Sequence, residues 1–233
     1  MLELSPSELD ALQLSLRVAF WSMLATLPIA VFAAFVLARF DFPGKSVLDA
    51  VIHMPLVLPP VVVGYFLLLL LGRRGPLGAW LEQTFGVVVA FRWTGAAIAA
   101  AVMGFPLMVR AIRLSFEAID ATLEAAASTL GASQAWVFVT VTLPLALPGI
   151  ITGTLLFFAR SLGEFGATIT FVSNIPGETR TLPLAIYTYT QVPGGDAQAL
   201  RLSLISVLVS IVALFVSELL ARRAQMRMSG HVS

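Results

Sequence analysis

The stretch VAFWSMLATLPIAVFAAFVLA, residues 18–38, runs from Arg17 to Arg39 without a charged side chain. Crossing about 30 Å of hydrocarbon takes roughly 20 such residues in a helix, since lipid offers no partner for unpaired backbone groups. Four more stretches meet this requirement: from Asp49 to Arg73, from Arg92 to Arg110, and over residues 143–162 and 199–220. Composition agrees, because 58% of the 233 residues are hydrophobic and 12% charged, with mean hydropathy +0.93, whereas soluble domains carry about a quarter charged residues. The expected fold class is an all-α integral membrane protein with five transmembrane helices, over about 12–38, 48–72, 93–114, 143–163 and 199–221. Pro28, Pro59, Pro60 and Pro106 fall inside these spans, where neighbouring helices can satisfy the backbone that proline frees. Kinked spans of this kind suggest a bundle around a pathway.

The charges outside the spans orient the chain. Residues 1–10 carry Glu3, Glu8 and Asp10 and no basic side chain, while the tail, residues 222–233, carries Arg222, Arg223 and Arg227. The N-terminus lacks the basic start of a cleavable signal, so the first span is expected to remain in the mature protein. An odd number of spans with a basic tail places the N-terminus outside, in the periplasm, and the C-terminus in the cytoplasm. Arg39, Lys45, Arg110 and Arg113 then lie inside, against Arg73, Arg74, Arg92 and Arg180 outside. Residues 11–221 form one membrane domain, and Gly/Pro-rich outer loops follow the second and fourth spans. A net charge of +1 gives no field for nucleic acid. The absence of cysteine excludes disulfides, thiolate metal sites and cysteine nucleophiles.

The longest inner loop, residues 115–142, reads as two short helices at an angle. Asp120 is placed to cap the first, Gly131 supplies the left-handed position that stops it, and Ser133 can cap the second. Ala125, Ala126, Ala127 and Ser128 keep the first helix thin enough to dock in a groove. On these residues alone, a plain surface elbow remains an equal reading.

The same loop resembles the signature of the membrane subunits of type I ABC importers: Glu-Ala-Ala, three residues, Gly, nine residues, Ile, one residue, Leu-Pro. Here Ala125-Ala126-Ala127 precede Gly131, with Val141, Thr142 and Leu143-Pro144 following at the same spacing. Ala125 stands in the Glu slot, with Glu124 one residue earlier, and Val141 in the Ile slot. The runs 42–45, 58–65, 105–113, 161–168 and 174–183 are similar to the molybdate permeases of that group. The Gly-Glu-Phe-Gly element, residues 163–166, is also that of sulfate and thiosulfate permeases. The resemblance implies the type I importer permease fold, paired with a second copy of the chain in the bacterial inner membrane. It implies two cytoplasmic ATPase subunits that bind ATP and Mg, a periplasmic molybdate-binding protein, and no cofactor on this chain. Coupling to the ATPase would fall on Glu124, Ala125, Ala126, Ala127, Gly131, Leu143 and Pro144. Tungstate and sulfate or thiosulfate are the alternative cargoes.

Other candidate sites are few. Gly44-Lys45-Ser46 imitates the end of a P-loop, but Arg39 stands where its first glycine belongs. Lys45 is the only lysine, so ATP chemistry belongs to a partner. Arg160 and Glu164 are four residues apart and can pair. About 17 residues into the fourth span, roughly 25 Å along the helix, they read either as a structural ion pair near the outer interface or, with Pro59 and Pro60, as part of a pathway or gate. Charges inside a membrane are costly enough to raise the second reading. His53 and His231 have no spaced ligand partner, so no metal site is expected, and no catalytic constellation is recognisable. Trp21, Trp80, Trp93 and Trp136 lie near span ends, as interfacial anchors do. An ion-coupled secondary transporter would show inverted repeats and carboxylates in its spans. No repeat is recognisable, and Glu164 is the one candidate carboxylate.

Overall fold

Pro6, with its φ fixed for the first helical turn, opens α1, which continues to Arg39, about 50 Å at helical rise. The computed structural model describes residues 4–229 and contains no strand among them; Glu3 and His231 lie outside the described residues. After α1 come α2 (Lys45–Val57), α3 (Pro60–Leu71), α4 (Pro76–Phe85) and α5 (Trp93–Glu117). Then follow α6 (Ala121–Thr129), α7 (Gln134–Val137), a π-helical turn (Phe138–Thr142), α8 (Leu143–Leu162), α9 (Gly166–Val172), α10 (Leu182–Thr190) and α11 (Asp196–Ser229).

Among the described residues, four helices are long and apolar enough to cross a bilayer: α1, α5, the run Gln134–Leu162 and α11 over Asp196–Ala213; the bent pair α2 and α3 is a fifth if it forms one broken span. The stretch expected as one helix over 48–72 bends by 114° at Leu58-Pro59. The cause is local. Pro59 and Pro60 lack amide protons, and each forces the residue before it out of the helical region.

The fourth span also differs from its sequence reading. Ser133 caps α7 by accepting from the Trp136 N–H at 3.3 Å, but α7 is no separate helix, because it runs through the π turn directly into α8. The Leu143 N–H donates to Phe138 O, five residues back. Pro144, whose ring opposes the carbonyl four residues before it, accounts for the widened turn. The loops after the second and fourth spans hold more structure than expected, since α4, α9 and α10 are short helices within them.

Apolar side chains occupy both the interior and the outer surface. Small residues such as Ala30, Ala34, Ala96, Ala99 and Ala100 are enclosed, letting helix backbones approach closely. Large apolar residues such as Phe32, Leu200 and Leu208 face outward, as lipid requires. α5 is the central helix, packed on α1 and α8. Its first half shares a core with Leu14, Val18 and Phe171, and its second half one with Leu37, Ala146 and Phe157. At the end of the bundle remote from α6, the buried Glu8 carboxylate accepts three hydrogen bonds from Arg201 at 2.7–3.0 Å, so the first turns of α1 and α11 lie together. Further along α1, Arg17 lies 4.0 Å over the Trp93 ring, a cation–π contact.

Candidate functional site

The short helix α6 stands clear of the bundle. Asp120 caps it by accepting from the Thr122 N–H at 2.9 Å, and that bond holds the Asp120 carboxyl below its ordinary value. The charged cap is therefore present at neutral pH and is lost as pH falls through the lowered value. Gly131 has φ +87°, and the Ala132 N–H returns to Ala127 O at 3.3 Å, which closes the helix with a left-handed stop.

No residue of α6 is buried. Ala125 and Ala126 are exposed, and Ala127, Leu143 and Pro144 are half-buried. Around them Leu123, Leu130, Trp136 and Val139 expose large apolar surface, 89% of Leu130 among them. Clustered apolar surface beside small residues is the composition that interaction surfaces show.

Glu124 turns the other way. Its Oε1 accepts from Arg39 Nη2 at 3.0 Å and from Thr142 Oγ1 at 2.6 Å. One carboxylate oxygen thus joins α6 to the end of α1 and to the π turn. Arg39 and Thr142 escape sequence reasoning because they lie 85 and 18 residues away: Arg39 is in no motif, and Thr142 falls at the one position of the signature's end that specifies no residue type. At the same end, Arg113 donates to Asp49 Oδ1 at 3.0 Å and to Glu117 Oε1 at 2.7 Å, and exposed Asp41 is held below its ordinary value by the Lys45 ammonium.

The four pathway candidates converge on a second place. Glu164 lies two residues past the end of α8 and not on the span. Its Oε1 accepts from the Ala167 N–H at 2.8 Å, satisfying a free donor at the start of α9. Its Oε2 is 2.7 Å from Arg160 Nη1, paired by charge but off the hydrogen-bond direction. Next to it the break at Pro59-Pro60 faces the break before α9, where a Cβ on Gly166 would lie 2.7 Å from Pro60 Cβ. One turn further along α3, a Cβ on Gly64 would lie 2.5 Å from Ala167 O. Two interrupted helices therefore meet where Glu164 is enclosed, at 3% exposure. Glu164→Ala removes both the cap and the charge facing Arg160, and should cost of order 3 kcal/mol. Glu164→Gln retains an acceptor for Ala167 and should lose less than half of that, read as thermal unfolding of the detergent-solubilised protein.

No cluster of metal-ligating side chains occurs among the described residues.

The family model described as binding-protein-dependent transport system inner membrane component matches residues 26–226. The chain is 59% identical over 224 residues to the Molybdenum transport system permease protein ModB of Escherichia coli, covering 96% of this chain and 98% of that protein. It is 34% identical over 227 residues to the Sulfate transport system permease protein CysT of the same organism, covering 97% and 81%. Among solved structures, a bacterial alginate ABC transporter in complex with an alginate pentasaccharide-bound periplasmic protein is similar with TM-score 0.75 at 16% identity, over 94% of this chain and 80% of that one. At that identity the likeness shows the fold.

Proposed function

The chain belongs to the binding-protein-dependent transport system inner membrane components, and from that membership we propose that it is the membrane-spanning subunit of an ATP-driven molybdate importer. It is a multi-pass membrane protein with the fold of ABC importer membrane subunits. In this reading it catalyses no reaction itself. A second copy completes the pathway, two cytoplasmic ATPase subunits bind ATP and Mg, and a periplasmic binding protein delivers the oxyanion. The observation that carries the reading is the α6 region: a capped, protruding helix with Ala125, Ala126 and Ala127 and a left-handed Gly131, surrounded by exposed apolar side chains at one end of the bundle.

Electrostatics assign the division of labour. Arg160 and Glu164 neutralise one another, so this enclosed pair offers a dianion no net attraction. Selectivity then rests with the binding protein, and the spans supply a passage. Closure of the ATPase subunits would move α6 and pass through the bundle to the facing breaks at Pro59-Pro60 and Glu164. Molybdate is favoured over sulfate by the wide gap between 59% and 34% identity.

The cargo is tested in cells deprived of their own molybdate uptake, by molybdenum accumulation with and without excess sulfate. Accumulation that sulfate does not suppress is expected; suppression by sulfate would favour a sulfate permease. Orientation is tested on single cysteines, which this cysteine-free chain allows directly. Gln83→Cys, on α4, should react with an impermeant maleimide added outside, and Ser128→Cys, on α6, only after the membrane is opened. The reverse pattern would invert the topology.

A further inference from the structure

The contact between α6 and the bundle is narrow. α6 buries no side chain, and its polar ties to other elements among the described residues meet on one atom, Glu124 Oε1. We propose that Glu124 is a latch, the positioning residue through which movement of α6 reaches the membrane helices; this rests on the importer reading above.

Each partner of the latch is placed to transmit. Arg39 is the last residue of α1, and its Nε is enclosed without an acceptor, so withdrawal of Glu124 removes the carboxylate that neutralises this guanidinium. Thr142, 2% exposed, is the last residue of the π turn. Phe138, the first residue of that turn, packs edge-on against Phe35 of α1 at 4.8 Å between ring centres and lies 6.4 Å from Phe116 of α5. The π turn is therefore held at one end by aromatic rings of two helices and at the other by Glu124. A π turn accommodates one extra residue with a looser hydrogen-bond pattern. It can change pitch at lower cost than a straight α-helix, and each residue it gains or loses turns α8 by about 100° and shifts it by about 1.5 Å. Displacement of α6 pulls directly on Thr142, and relaxation of the turn carries the motion into α8 and so towards Glu164. The alanine at 125, where related loops carry the signature Glu, leaves the coupling face of α6 uncharged and the carboxylate on the face towards the bundle.

The test uses the complete complex with its ATPase subunits and binding protein in proteoliposomes. Three quantities are read: ATPase retained on purification, ATP hydrolysed, and molybdate transported per ATP. Glu124→Ala should keep the ATPase bound and hydrolysing while transport per ATP falls about tenfold. Thr142→Val, nearly isosteric, should lower the same ratio by about threefold, and Arg39→Glu combined with Glu124→Arg should recover part of it. An unchanged ratio in Glu124→Ala would overturn the latch. So would loss of the ATPase from that variant, which would make Glu124 a docking residue. A wild-type chain that retains no ATPase would instead overturn the importer reading itself.

Discussion

Gly131→Val is expected to abolish ATP-driven uptake while leaving the protein in the membrane. The backbone at this position has φ +87°, a conformation that costs a side-chain-bearing residue roughly 1–2 kcal/mol, and more with a β-branch. Among the described residues, no atom beyond its chain neighbours lies within 4 Å of a Cβ built there, so the damage is not a clash within the fold. It comes from the strain, which unwinds the stop of α6, and from a branched side chain on the exposed face where an ATPase would seat. Roughly 2 kcal/mol against the seated conformation is a factor of about thirty in ATPase occupancy. Gly131→Asn is the control, since asparagine tolerates the left-handed region; it should keep the ATPase and most of the uptake. ATPase retention through purification, measured beside molybdenum accumulation, checks both variants. Full uptake by Gly131→Val would remove α6 from the coupling path.

Gly64→Ala is expected to damage the protein where most glycine-to-alanine changes in helices help. In an open helix the change stabilises by about 0.5–1 kcal/mol. Here the new Cβ would lie 2.5 Å from Ala167 O and 2.8 Å from Ala167 Cα. Those are backbone atoms, and no rotamer change relieves them. α3 and α9 would have to separate, opening the place where the two helix breaks meet and where Glu164 caps α9. Overpacking of this kind costs about 3 kcal/mol, which for a chain of this size lowers the unfolding temperature by roughly 10 °C. Transport should fall with it, because the breaks lose their mutual support. An unfolding temperature equal to or above that of the wild type would mean that α3 and α9 do not touch at Gly64.

The outcome at Gly64 depends on a feature that the sequence displays only partly. Long charge-free runs are read easily, because hydrocarbon thickness demands them, and α1, α5 and α11 follow from counting apolar residues. The break at Pro59-Pro60 was visible as chemistry but not as geometry: two prolines announce an interruption, while neither the 114° angle nor the close approach of α9 at Gly64 and Pro60 can be read from them. α9 and α10 are too short for periodicity to register and sit among Gly, Pro and Thr residues that read as loop. In the α6 region the capping residues Asp120 and Ser133 and the stop at Gly131 were legible from local chemistry alone. The π turn was not, since it arises from Pro144 acting on a carbonyl one turn back within an otherwise regular apolar run. Glu124 was visible as a departure from a motif, but its two partners are distant in the chain, and only folding brings Arg39 and Thr142 to the same oxygen.

The most direct test of the importer reading is transport by the purified chain, its co-expressed ATPase subunit and the binding protein in sealed vesicles, without any ion gradient. ATP on the ATPase side should drive molybdate accumulation, and omission of the ATPase or of ATP should reduce it to background. Accumulation that needs no ATPase and follows an imposed proton or sodium gradient would contradict the account and make the chain a secondary transporter.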